Sequence, residues 1–133
     1  MLNYLLIAIG SAMGGVARWA VGNWTHRLAG GTPPAVFPIG TLVVNATGSF
    51  VLGVLAALMA RPGGSHDGLV RLLFAVGFCG GYTTFSTFSL DTIALLENRG
   101  LSLAAANIAL SVGLGLGGVL GGMLVGRLIF SRG

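Results

Sequence analysis

From Gly77 the chain reads Gly77-Phe78-Cys79-Gly80-Gly81-Tyr82-Thr83-Thr84-Phe85-Ser86-Thr87-Phe88-Ser89, two adjacent glycines ahead of five hydroxyl side chains in seven residues. Adjacent glycines and a Thr pair make a poor uninterrupted helix. Glycine loses the most backbone entropy, and Thr hydroxyls compete for backbone partners. A break at Gly80-Gly81 would release backbone carbonyls and amides. At membrane depth such groups are tolerated only when buried in protein or lining a polar cavity, and the carbonyls are ready ligands for a hard cation. The competing reading is that each hydroxyl bonds its own preceding turn and the helix only bends.

Phe85 and Phe88 stand three apart and so share one helical face. Core packing or lipid contact explains most such pairs. The positive edge of an aromatic ring can also face a partly dehydrated anion, without the grip of a cationic side chain. Asn45, an amide within a second apolar run, could donate to the same anion or join two helices. Arg18 is the one charge embedded in an apolar run; a charge costs on the order of 3 kcal/mol at a span centre and less near an end. His26 and His66 lie in separate connections, too sparsely partnered for a metal site or a catalytic triad. Cys79 has no second cysteine and reads as a buried, inert thiol. This set of residues holds no enzyme chemistry.

The elements that carry these residues belong in lipid. Of 133 residues, 54% are hydrophobic and only 8% charged, against roughly 25% charged in a soluble domain. Mean hydropathy is +0.91. The seven basic residues are arginines scattered singly, so the net charge of +4 forms no nucleic-acid footprint. Positions 1–17 hold no Lys or Arg, so the first apolar run lacks the basic start of a cleaved signal peptide. Runs of the length a bilayer demands predict one four-helix membrane domain over 1–133, with spans at about 2–22, 38–60, 72–96 and 101–126. Pro33, Pro34 and Gly30-Gly31 fall in the first connection, and the chain is expected to turn near Asn98-Arg99-Gly100. Small residues recur at i, i+4: Gly10 and Gly14; Ser49, Gly53 and Ala57; Gly113, Gly117 and Gly121; Gly118, Gly122 and Gly126. Such ladders let helix backbones approach closely.

Four spans place Arg61, Arg71, Arg127 and Arg132 on one side of the membrane, and Arg27, Arg99 and a snorkelling Arg18 on the other. Four against three is almost no orientation signal. Insertion in both directions, with pairing of opposite copies, and a single weakly biased topology are equally compatible with it.

Gly14-Gly15-Val16-Ala17-Arg18-Trp19, Pro38-Ile39-Gly40-Thr41-Leu42 with Asn45 and Gly48, and the string from Gly80 to Phe88 closely resemble the Fluc/CrcB family of fluoride channels. The motifs fall in order, the layout covers the whole chain, and the string from Gly80 is the most specific of them. The resemblance implies an all-α integral membrane protein with a broken third helix. It also implies an antiparallel, dual-topology homodimer in a bacterial inner membrane, with two pores along the subunit interface. Its function would be fluoride export from the cytoplasm, down a gradient set up when neutral HF enters and dissociates. By position, Phe85 and Phe88 match the aromatic pair whose ring edges line the pores, and Asn45 the pore asparagine. Ser86, Thr87 and Ser111 match pore hydroxyls, and Arg18 the vestibule arginine. The carbonyls of Gly80 and Thr83 correspond to ligands of a structural Na⁺ shared by the two subunits, and Asn107 falls where some members carry tyrosine.

The pattern is physically coherent, because hydroxyls, an amide and ring edges in series can replace fluoride's water without holding the ion. Two other classes compete. A small multidrug carrier has four short spans, but it needs a carboxylate at membrane depth, and the first, second and fourth spans have no Asp or Glu. A structural assembly protein explains the glycine ladders, but not the hydroxyls gathered around Phe85 and Phe88.

Overall fold

The computed structural model describes residues 1–28, 37–60 and 67–130, and every element among them is helical. They are α1 (Leu2–Leu28), α2 (Ile39–Met59), α3 (67–82), α4 (Phe85–Arg99) and α5 (Leu101–Phe130). By length and apolarity α1, α2 and α5 can each cross a membrane. The expected span at 72–96 falls on two helices, α3 and α4, rather than on one. Within α3, an α-turn at Asp67–Leu69 leads into π-helix over Val70–Cys79 and returns to α-helix at Gly80–Tyr82. π-Winding is usually confined to single turns and tends to mark functional sites; nothing in the sequence announces it. The Gly30-Gly31 and Pro33-Pro34 turn, Arg61, His66 and Arg132 lie outside the described residues.

α1 runs six residues past the expected end at 22. One residue of the added stretch is packed. Thr25 is buried, its hydroxyl donates to the Val21 and Gly22 carbonyls at 2.9 Å each, and a Cβ on Gly40 of α2 would stand 2.9 Å from that hydroxyl. Arg27 therefore belongs to the last helical turn, where it complements the negative end of the helix dipole.

Helices meet backbone to backbone. A Cβ on Gly10 would strike the Leu73 carbonyl, and one on Gly14 the Phe78 carbonyl; these two glycines seat α1 on α3. Gly53 of α2 lies against the Val119 carbonyl, while Gly118, Gly122 and Gly126 of α5 lie against Ala46, Phe50 and Val54 of α2. The expected ladders thus have specific partners. The exception is the Gly113-Gly117 face, which meets nothing within 4 Å in the protomer.

α4 and α5 are joined by one residue. Gly100 has φ 91° and ψ 172°, a region essentially closed to side-chain-bearing residues. The chain can therefore reverse within a single peptide unit, where the sequence places the turn. Leu95 and Ala104, on either side of it, are both buried.

Candidate functional site

Two extended residues separate α3 from α4: Thr83 (φ −77°, ψ 158°) and Thr84 (φ −149°, ψ 115°). The Thr83 N–H still donates to the Cys79 carbonyl at 2.9 Å. In a continuous helix the Thr84 N–H would serve the Gly80 carbonyl and the Thr87 N–H the Thr83 carbonyl. Both donors are diverted. Thr84 N–H donates to Asn45 Oδ1 at 2.8 Å, and Thr87 N–H to Thr84 Oγ1 at 3.2 Å, an N-cap for α4. Asn45 Nδ2 completes the exchange by donating to the Thr84 carbonyl at 3.0 Å. The side chain of α2 thus takes up the backbone N–H that the interruption opens at Thr84 and adds a donor to the carbonyl that heads α4, while the Gly80 and Thr83 carbonyls lose their helical donors.

The interruption lies three residues beyond the glycine pair on which the sequence reading set it. Gly80 and Gly81 are helical. Gly81 serves close packing instead, since a Cβ there would lie 2.8 Å from Ser11 Cα of α1. A chain interrupts its ladder where substitute partners exist, and those partners, Asn45 and the Thr84 hydroxyl, stand at Thr84.

Phe85 and Phe88 follow directly. Their ring centroids are 5.6 Å apart at an interplanar angle of 48°, a tilted pair on one face. Phe85 is 80% exposed in the protomer, so packing within this chain does not account for it. Thr84 Oγ1 donates to Thr87 Oγ1 at 2.9 Å and lies 3.3 Å from Ser86 Oγ. With its oxygen accepting from Thr84, the exposed Thr87 hydroxyl keeps its own proton free to donate outward. One N–H of Asn45 is likewise uncommitted, because an amide carries two and only one serves Thr84. Ser89 and Thr92 instead bond the carbonyls of Phe85 and Phe88 one turn back, at 2.9 and 2.7 Å. Arg18 is half-buried on α1, one turn beyond Gly14, and Ser111 is half-buried on α5; neither is joined to this group by a hydrogen bond.

Further polar ties escape sequence reading. Thr41 Oγ1 donates to Asp91 Oδ2 at 2.7 Å, Thr47 and the Tyr82 hydroxyl share a bond at 3.0 Å, and Asn107 Nδ2 donates to Thr92 Oγ1 at 2.8 Å. A Cβ on Gly48 would meet the Thr83 methyl group. Thr41, Asn45 and Gly48 therefore form one face of α2, at i, i+4 and i+7, that follows the chain through the interruption into α4. That spacing is the signal from which the contact could have been found.

Among the described residues no three of His, Cys, Asp and Glu come together. A cation at this site would depend on backbone oxygens. The Gly80 and Thr83 carbonyls fit that role because their helical donors are committed elsewhere, and the side of Gly80 on which a Cβ would project is open, with nothing within 4 Å.

Residues 5–123 match the model of the family described as CrcB-like protein, Camphor Resistance (CrcB). A Rhizobium leguminosarum bv. trifolii protein named fluoride-specific ion channel FluC is 48% identical, the match covering 84% of this chain and 96% of that one. Proteins of the same name from Rhizobium etli and Coxiella burnetii are 50% and 45% identical, again over 84% of this chain and over 89% and 86% of their own. With a family model spanning nearly its whole length, the chain belongs to the CrcB-like family.

Proposed function

We propose that this protein is a fluoride-selective channel that lets fluoride leave the cytoplasm by passive conduction. The observation that carries the reading is near-50% identity, across most of the chain, to proteins named fluoride-specific ion channels. The protein is a multi-pass membrane protein by its three spanning-length apolar helices and its family. Together α3 and α4 supply the fourth crossing in this proposal, interrupted at Thr83-Thr84.

The site's chemistry suits a small, strongly hydrated anion. The outward Thr87 hydroxyl, Ser86, the spare Asn45 N–H, Ser111 and the edges of Phe85 and Phe88 are donors of modest strength. Placed in series, they would replace hydration water without trapping the ion. Arg18 would draw the anion to the entrance. Conduction of this kind makes and breaks no covalent bond, so no enzymatic role is assigned.

The proposed assembly is an antiparallel homodimer in the inner membrane of a bacterium, with two pores along its interface. The open Gly113-Gly117 face and the exposure of Phe85 support a partner on those surfaces. A Na⁺ held by the Gly80 and Thr83 carbonyls of both copies would neutralise converging carbonyl dipoles and fix the centre.

Purified protein in liposomes loaded with fluoride should empty them rapidly, while chloride-loaded liposomes stay full. Equal loss of both anions, or of neither, would remove the fluoride reading. Reporters fused to the C-terminus should appear on both sides of the membrane in roughly equal amounts, given the balanced arginines. If every copy faces one way, the antiparallel pairing is wrong.

A further inference from the structure

Asn107 is a polar side chain on α5 with 1% of its surface exposed. Its Nδ2 donates to Thr92 Oγ1 at 2.8 Å, and that hydroxyl donates to the Phe88 carbonyl at 2.7 Å. The bonds thus tie the second turn of α5, through one hydroxyl, to the backbone of a ring-bearing residue in the candidate site. The single-residue reversal at Gly100 gives this tie a geometric meaning. Counted in equal steps along the two antiparallel helices from the bonded pair Thr92–Asn107, residues stand level across the α4–α5 hairpin. Leu95 and Ala104 are the buried pair nearest the turn, and Thr92 and Asn107 are the bonded pair above them. One helical turn further the count brings Phe88 level with Ser111.

We propose that Asn107 is a positioning residue: its bond to Thr92 fixes the register of α5 along α4 and so holds Ser111 level with Phe88. The inference rests on the channel reading and adds a residue to it. Burial leaves Asn107 almost no surface to offer a passing ion, and one of its amide N–H groups is committed to Thr92. On this seam Ala104 projects only a methyl group, so apolar contact there resists axial displacement weakly. An interhelical hydrogen bond in lipid is directional where apolar packing is not.

The two ends of the bond are not equivalent. In Asn107→Leu the Thr92 hydroxyl keeps its acceptor at Phe88 and loses only the bond it receives. In Thr92→Val the Asn107 amide is left buried without an acceptor. Both changes remove the register bond, so both should slow fluoride efflux by about three- to tenfold, and the double variant should be no slower than the slower single one. Thr92→Ser, which retains the hydroxyl, should restore efflux. Liposomes holding at most one protein unit each separate register from misfolding. Misfolded protein lowers the fraction of vesicles that empty, whereas a shifted register lowers the rate at which each one empties.

The proposal is overturned if the single effects multiply in the double variant, if Asn107→Leu slows efflux while Thr92→Val does not, or if the losses lie only in the active fraction. Should Asn107→Leu fail to fold, Thr92→Val and Thr92→Ser carry the test: equal rates in those two also overturn it. Absence of fluoride efflux in the unsubstituted protein is a different result and sinks the channel reading itself.

Discussion

Replacing Asn45 with leucine should destabilise the protein by about 1–3 kcal/mol, because a buried backbone N–H loses its partner. That group is at Thr84, which is buried: its N–H donates to Asn45 Oδ1, whereas its carbonyl, which accepts from Nδ2, also heads the ladder of α4. The N–H cannot return to a helical ladder without closing the interruption, and closing it would swing Phe85 and Phe88 relative to α3. Leucine matches asparagine roughly in size, so the loss is one of valence rather than volume. The measurement is the unfolding midpoint in detergent, read together with fluoride efflux. If Asn45 acted only as a donor to the anion, efflux would fall with the midpoint unchanged. That result would separate Asn45 from the architecture of the interruption.

Phe85→Ile and Phe88→Ile should each cut fluoride efflux by up to about tenfold, the rate equivalent of the ~1.5 kcal/mol upper range for an aromatic contact. The double variant should lose more, since the ion would pass both rings. The two positions differ usefully in cost to the fold. Phe85 is mostly exposed, so isoleucine there removes little packing within the protomer, while Phe88 is half-buried and gives up more. Efflux should therefore fall in Phe85→Ile with the unfolding midpoint almost unchanged. Efflux at the unsubstituted rate in both variants would return the rings to ordinary packing. The tilt of 48° between them supports the edge-directed role, because tilted rings present edges where parallel rings present faces.

The apolar runs, the small-residue ladders and the turn at Gly100 were legible because each is a local property of the chain. Hydropathy needs no partner to be read, and a glycine at a turn declares its own conformation. The third apolar run was legible as a place of conflict, but the position of the interruption was not. Local propensity points at Gly80-Gly81, yet the ladder opens at Thr84 because Asn45, thirty-nine residues earlier, supplies the exchange partner. No window along the sequence contains both. The end of α1 lies beyond the expected 22 for a related reason: polar residues from Asn23 to Arg27 have the composition of a connection, yet Thr25 packs beneath Gly40. At the site, Phe85, Phe88, Ser86 and Thr87 are contiguous and were read together. Asn107–Thr92 is a single bond between helices, and its residues carry no mark of it in sequence.

The glycine seams between α1 and α3 and between α2 and α5 also bear on how the helices come together. In lipid the tails are as apolar as the side chains, so helices gain little by hiding hydrophobic surface from their surroundings. What an association loses in freedom then weighs heavily in the balance. A leucine or methionine seam would freeze rotamers on docking, at about 0.5–2 kcal/mol for each side chain. Glycine has no rotamers to freeze, and its backbone is already ordered in the helix before the helices meet. Contacts such as Gly10 on Leu73 and Gly122 on Phe50 therefore gain dispersion energy with almost no entropic opposition. Here order along each helix is established first, and order between helices follows at little further cost.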